Sequence, residues 1–147
     1  MNIQIRKATK ADAESIALLA VQMWTSHTTE ELADGFSSVI ENENSIVYLL
    51  TIDEVIVGFA QCGLRHDYVE GTSSSPVGYL EGIFVKKEYR KQGYAKQLLN
   101  YCEQWAKEKS CNEFASDCEL SNEISRQFHM NLGFKEANRI ICFTKKI

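Results

Sequence analysis

The stretch VGYLEGIFVKKEYRKQGYAKQLLNYCEQWA, residues 77–106, changes character twice. VGYLEGIFV is a nearly unbroken apolar run rich in β-branched and aromatic residues, as a central strand covered on both faces requires. One carboxylate, Glu81, interrupts it. A basic segment follows and ends in Gly93. Beyond it Ala95, Leu98, Leu99, Cys102, Trp105 and Ala106 recur at helical spacing. The unit reads as strand, loop and helix. A helix start exposes N–H groups with no intrahelical partner at the positive end of the dipole, so an anion seated there is stabilised. Gly93 lets the backbone approach closely, Ala95 keeps the next turn small, and Arg90, Lys91 and Lys96 add charge-assisted contacts. The glycine spacings of a Rossmann dinucleotide site and of a P-loop are both missing. Two readings remain: a seat for a diphosphate, and a solvated turn capped by bases.

Outward from this unit the chain alternates strands and helices, with no repeat and no linker. Ile3 and Ile5 form a short strand, and Thr9 caps a helix whose apolar face is Ile16, Leu19, Ala20 and Met23. Thr28 and Glu31 have capping-box spacing for a second helix, with Leu32, Phe36, Val39 and Ile40 inward. IVYLLTI and VIVGFAQCGL, separated by Asp53 and Glu54, predict a hairpin, and GTSSSP a loop. EFASD is a short strand ending in Asp117, residues 122–132 are helical with Gly133 as the stop, and RIICFTKK is a final strand. The order β-α-α-β-β-β-α-β-α-β predicts an α/β (α+β) fold in which helices cover a mixed sheet.

Composition bounds the function. At 147 residues and 44% hydrophobic content, the chain suits one domain spanning 1–147. It carries no signal-peptide pattern and no apolar run of bilayer length, so a soluble cytoplasmic protein without a membrane partner is expected. Its five cysteines, Cys62, Cys102, Cys111, Cys118 and Cys142, are scattered with no C-x-x-C pair, which predicts buried reduced thiols and no metal site. A net charge of -4 disfavours nucleic acid and suits a cationic partner.

GIFVKKEYRKQGYAKQLL resembles the acetyl-CoA-binding motif of the GNAT superfamily of N-acetyltransferases. NEISRQFHMNLGF, with Asn122, Ser125, His129, Gly133 and Phe134, matches a second landmark of that superfamily. The resemblance implies a GNAT fold with a mostly antiparallel sheet flanked by helices. It implies that backbone groups around Ile83, Phe84 and Val85 pair with the pantetheine arm of acetyl-CoA. It also implies that N–H groups along Lys91, Gln92, Gly93, Tyr94, Ala95 and Lys96, beside Arg90, hold the diphosphate, with Asn122 and Ser125 near the arm. DYVEGTSSSPVGYLEGIFV, EFASD and the C-terminal GF and CFTKKI are similar to bacterial aminoglycoside 6'-N-acetyltransferases. In that subgroup the equivalents of Trp24, Tyr68, Glu81 and Asp117 contact the antibiotic. Relatives carry an acid at the position of Asn138, where this chain has an amide with Glu136 two residues earlier. A homodimer is implied as well, through C-terminal strands.

The residues fit such chemistry in their own right. A polyhydroxylated polycation needs carboxylates for its ammonium groups and aromatic rings for its sugar faces. Glu81 and Asp117 are placed toward the sheet interior, where a solitary carboxylate is costly. In an unbulged strand Glu81 shares a face with Ile83 and Val85 and looks at the reacting centre. The alternatives are an ion pair with an internal Arg or Lys for Glu81, and a cap or turn role for Asp117. Glu30, Glu31 and Asp34 read as a solvated helix face in preference to an acidic rim. His129 stands where many superfamily members have a tyrosine that protonates the leaving thiolate; packing on a helix face is the alternative. Nothing brings Cys111 or Cys118 to His129 for an acyl-enzyme route. Another amine as acetyl acceptor, and an acetyl-CoA-binding protein without turnover, are the competing functions.

Overall fold

The computed structural model describes residues 1–147. Five strands form one mixed sheet in the order β1-β2-β3-β4-β5: β1 Ile3–Lys7, β2 Ser45–Ile52, β3 Val55–Arg65, β4 Val77–Val85 and β5 Phe114–Ala115. The first four are antiparallel neighbours and β5 joins β4 in parallel. The β2–β3 turn is only Asp53-Glu54, and both residues take positive φ, as the tight turn that matches strand twist demands.

Two apolar layers sandwich the sheet. On one face α3, Tyr94–Glu108, buries Leu98, Leu99, Cys102, Trp105 and Ala106 against Leu50, Val57, Leu80 and Val85. On the other, α1 (Ala13–Ala20) and α2 (Thr29–Glu41) enclose Ile16, Leu19, Phe36, Phe59 and Phe84. The α2 start is as the sequence indicates, with Thr28 Oγ1 accepting from the Glu31 N–H at 3.1 Å. No helix is long and apolar enough to cross a membrane. Cys62, Cys102 and Cys111 are buried, and the Cys62 contact first, with burial second, holds the Cys102 thiol well above its usual range. Cys118 and Cys142 are exposed, which corrects the expectation for these two.

Two further expectations are corrected. RIICFTKK forms no strand: residues 135–147 have no regular structure, and Ile140, Ile141 and Phe143 are exposed. β5 is only two residues long, so the chain supplies no strand edge for this segment to pair with. Second, β4 is bulged. Gln61 pairs with Gly82 and Cys62 with Leu80, leaving Glu81 as the extra residue. Helix α4, Glu123–Asn131, ends as expected at Gly133, where φ is +94 and N–H groups of Gly133 and Phe134 return to Met130 and His129.

Near the chain start, Arg6 grips both oxygens of Asp12 at 2.8 and 2.9 Å, and the Thr9 N–H reaches the same carboxylate at 2.8 Å. The Arg6 hydrogen bonds, acting against burial and with help from Thr9, hold the Asp12 carboxyl at about 2. Its folded value lies below its unfolded value of about 4, so the stabilisation is present above about pH 4 and lost as pH falls toward about 2. Asp12→Asn should cost about 1 kcal/mol at neutral pH, discounted for the exposed Arg6, and only a small fraction of that at about pH 2. Urea midpoints at the two pH values check this.

Candidate active site

The parallel pairing of β4 with β5 is confined to Gly78–Phe114 and Tyr79–Ala115. From Leu80 onward the two strands part, and β4 runs on to Val85 with β3 on one side only. Where pairing stops, Ser116 takes over with its side chain, its Oγ lying 3.3 Å from the Leu80 carbonyl. At the far end the Val85 carbonyl accepts from Arg90 Nε at 2.7 Å. Arg90 also lies over the Phe84 ring, 5.3 Å from its centre, so this side chain is partly spoken for.

Immediately after Arg90 the backbone turns left-handed at Lys91 (φ 61) and again at Gly93 (φ 85), and α3 begins at Tyr94. Gly93 is the residue type that takes such a φ without cost. No hydrogen bond within the protein engages the N–H groups from Lys91 through Lys96. Six consecutive donors at the start of a 15-residue helix form an anion-receptive surface. Lys91, Gln92 and Lys96 are exposed beside it, while Tyr94 is buried and Ala95 half-buried.

An open groove of about 810 Å³ lies beside the β4–β5 pairing, lined by Arg65, Tyr68, Glu70, Tyr79, Asp117 and Glu136 among others. Asp117 follows β5 and is exposed, not interior; it accepts a hydrogen bond from the Tyr79 hydroxyl and is neither cap nor turn residue. Burial first, and Asp117 second, push the Tyr79 phenol well above its ordinary range, so it is a donor at any working pH. Glu81 is likewise exposed, and the bulge removes it from the alternation that would have set it with Ile83 and Val85. Its Oε1 accepts from Arg65 Nη2 at 2.9 Å, and Arg65 in turn stacks 3.6 Å over the Tyr79 ring. Arg65 pairs with Val77 in the ladder and so reaches Tyr79 as a diagonal neighbour.

Trp24 lies just past α1, half-buried against Phe36 and Phe59, with Gly82 beneath it. Tyr68 is 76% exposed, on the 66–76 loop. That loop is pinned by Glu113, which accepts from the Ser73 N–H at 2.9 Å and from the Ser74 hydroxyl. These bonds hold the Glu113 carboxyl below its usual range. Asn138 donates to Glu70 Oε1 at 2.7 Å, so an acid does stand here, supplied by the loop. Glu136 is bound by Arg126 and Arg139.

Asn122 caps α4, its Oδ1 accepting from the Ser125 N–H at 3.0 Å, so that oxygen is committed to the helix. His129, one turn after Ser125, is half-buried with both ring nitrogens in contact, Nε2 with Ser116 Oγ at 2.8 Å and Nδ1 with the Ser125 carbonyl at 2.7 Å. The structure thus brings Asp117, Tyr68 and Asn138 around one groove; Glu81 meets it only through Arg65, and Trp24 is not among its lining residues but packs over Gly82 against Phe36 and Phe59. Asn122 and Ser125 sit on α4, engaged with each other and with His129. Glu31 pairs with His27 on the exposed face of α2, as a solvated helix face does. Arg65, Glu70, Tyr79, Glu113 and Ser116 were not singled out by sequence. Tyr79 carried a signal, being the one polar-tipped side chain two residues before Glu81 on a buried strand.

The sequence model described as the Acetyltransferase (GNAT) family matches residues 11–134. The chain belongs to the GNAT family of acetyltransferases. It is 39% identical over 145 residues to an aminoglycoside N(6')-acetyltransferase type 1 of Salmonella enteritidis, covering 98% of this chain and 99% of that protein. Its identity to the Acinetobacter haemolyticus protein of the same name is 34% over 145 residues, 99% of each. A solved structure of AAC(6')-Iy with the bisubstrate analogue CoA-S-monomethyl-acetylneamine superposes with TM-score 0.93 at 36% identity, covering 100% of both chains. AAC(6')-Ih from Acinetobacter baumannii gives TM-score 0.94 at 35% identity, covering 99% of both. The GNAT sheet and flanking helices predicted from the sequence are those observed.

A Cβ built on Gly82 would stand 2.6 Å from Trp24 Cζ2 and 2.8 Å from Cη2, with Met23 Cε at 3.3 Å behind. The indole is packed against both Phe36 and Phe59, so it moves only by giving up those contacts. Gly82→Ala should therefore destabilise the fold by about 1–3 kcal/mol and move the Trp24 emission, read against a variant with Trp105 replaced by Phe. An unmoved spectrum would show that the ring does not depend on Gly82.

Proposed function

We propose that this protein transfers the acetyl group of acetyl-CoA to the 6'-amino group of an aminoglycoside, by direct attack in a ternary complex. The observation that carries this reading is the β4–β5 fork. It leaves β4 unpaired on its β5 side beyond Tyr79, ahead of the six free amides at the α3 start, with a groove that carries several carboxylates beside β5. The names and bound molecules of the relatives support the same assignment.

The chain's residues fit acetyl-CoA. Amides from Lys91 through Lys96 suit its diphosphate, and the open edge of β4 through Ile83, Phe84 and Val85 suits an extended amide-bearing arm. Arg90 serves chiefly by holding the loop to Val85. When bound, acetyl-CoA supplies an activated thioester. The free N–H of a β4 residue near Ile83 polarises the thioester carbonyl.

Glu81, Asp117 and Glu70 bind and orient the cationic acceptor, with Trp24 and Tyr68 covering its sugar faces and Asn138 fixing Glu70. A neutral amine is required for attack, and a group of pKa near 8 leaves on the order of 10% free base at pH 7. An ordinary carboxylate is mismatched with such an ammonium by about 4–6 units, or about 5–8 kcal/mol, so the carboxylates position and water carries the proton away. Because Arg65 already compensates Glu81, the acceptor binds by exchanging one cation for another.

The exposed apolar side chains of the C-terminal arm, Ile140, Ile141 and Phe143, support a homodimer in which that arm packs on a second copy. Phe143→Asp should shift the mass measured by light scattering to that of a monomer; an unchanged mass would exclude the arm. For the reaction itself, purified protein is assayed with acetyl-CoA against kanamycin-like compounds, polyamines and peptides, and the acetylated position is mapped by NMR. Turnover confined to aminoglycosides bearing a 6'-amine is expected. Glu81→Gln should raise the aminoglycoside KM about tenfold with kcat nearly unchanged. Loss of only the basic limb of the pH profile would make Glu81 the base instead.

A further inference from the structure

Ser116, the first residue past β5, joins three elements through one oxygen. Its Oγ lies 3.3 Å from the Leu80 carbonyl on β4 and 2.8 Å from His129 Nε2 on α4. We propose that Ser116 is a positioning residue for proton delivery in the acetyl transfer above, a step that rests on that reading: its hydroxyl fixes the His129 ring and passes the ring's Nε2 proton toward the open edge of β4.

Counting hydrogens makes the case. His129 Nδ1 is 2.7 Å from the Ser125 carbonyl, which can only accept, so Nδ1 carries a hydrogen. Ser116 Oγ has one hydrogen and two neighbours that can take it. With a neutral ring, Nε2 is an acceptor and draws that hydrogen inward, leaving the Leu80 carbonyl without it. With the doubly protonated ring, Nε2–H donates to Ser116 Oγ, and the serine hydrogen turns outward to Leu80. Every donor then has an acceptor. Only this second arrangement presents a proton at the fork.

The ring cannot serve the fork directly, because each nitrogen is held and Phe128 and Phe134 flank it edge-on at 6.1 and 5.3 Å. Ser116 and His129 line the groove together with Asp117, next to Ser116 in the chain, and Arg126, three residues before His129, among other charged residues. As the C–N bond forms and the C–S bond breaks, the Ser116 hydroxyl proton moves to the departing thiolate. The Nε2 proton moves to Ser116 Oγ in the same direction. His129 is left neutral with Nδ1–H on Ser125, and the proton shed by the acetylated amine returns to Nε2 through water.

The test has two arms. In the free protein, long-range proton–nitrogen NMR of the His129 ring should show a neutral form protonated at Nδ1. Its Nε2 resonance should shift in Ser116→Ala, which lacks the donor, and return in Ser116→Thr. In turnover, Ser116→Ala should lower kcat about a hundredfold with the acetyl-CoA KM unchanged, Ser116→Thr should recover most of it, and His129→Phe should add little on top of Ser116→Ala. A neutral ring protonated at Nε2, or an Nε2 resonance and kcat indifferent to Ser116→Ala, would overturn the proposal. Wild-type protein that acetylates no aminoglycoside sinks the proposed function, while the NMR arm still decides the Ser116 contact.

Discussion

The parting of β4 from β5 after Tyr79 is the constraint on which the rest depends. A strand cannot leave its backbone groups unpaired in a protein interior without cost, so the parting has to be managed. The carbonyls at the two ends of the opened segment each have a side chain against them, Ser116 Oγ at Leu80 and Arg90 Nε at Val85. The segment between them keeps β3 on one side and has no strand on the other. The bulge at Glu81 falls in the same place, on the β3 side, and turns that carboxylate out to Arg65. One local irregularity therefore opens a slot along the strand and aims an acid beside it.

The groove's electrostatics follow a different rule from the one its acid content suggests. Several carboxylates in and beside it have partners: Glu81 has Arg65, Glu136 has Arg126 and Arg139, Asp117 has Tyr79 and Glu70 has Asn138. Arg139 and then Arg126 hold the Glu136 carboxyl below its ordinary range. On the proposed function, a polycation would gain there by exchange, replacing single internal contacts with several of its own. These groups are exposed, and salt screens them, so charge alone contributes modestly.

Sequence reading recovered what local periodicity controls. The helical face of Leu98, Leu99, Cys102 and Trp105, the Thr28 cap, the two-residue hairpin and the Gly133 stop are all written within a few residues of where they act. The free amides at the α3 start were legible for the same reason, since Gly93 and the helix start are adjacent. What stayed hidden depends on register. A bulge adds one residue to one strand, and no pattern within VGYLEGIFV marks it, so Glu81 was given the face of Ile83 and Val85. Ser116 and Leu80 are far apart in sequence and meet only because the parallel pairing ends where it does. Arg65 reaches Glu81 only through its diagonal placement against Tyr79.

RIICFTKK has strand-forming composition and no strand, which ties the C-terminal arm to the groove in a specific way. Before its apolar residues, the arm crosses the groove's rim, with Ala137 packed against Gly71 and Asn138 bonded to Glu70. Gly71 takes a φ of +81 there, and a side chain at that position would run into Ala137. The same loop carries Tyr68 and is anchored at its other end by Glu113. The loop is thus held between a fixed anchor beside β5 and an arm whose own apolar surface is exposed. On the proposed function, covering Ile140, Ile141 and Phe143 would also steady Asn138, two residues before Ile140, and through it Glu70 and the groove's rim.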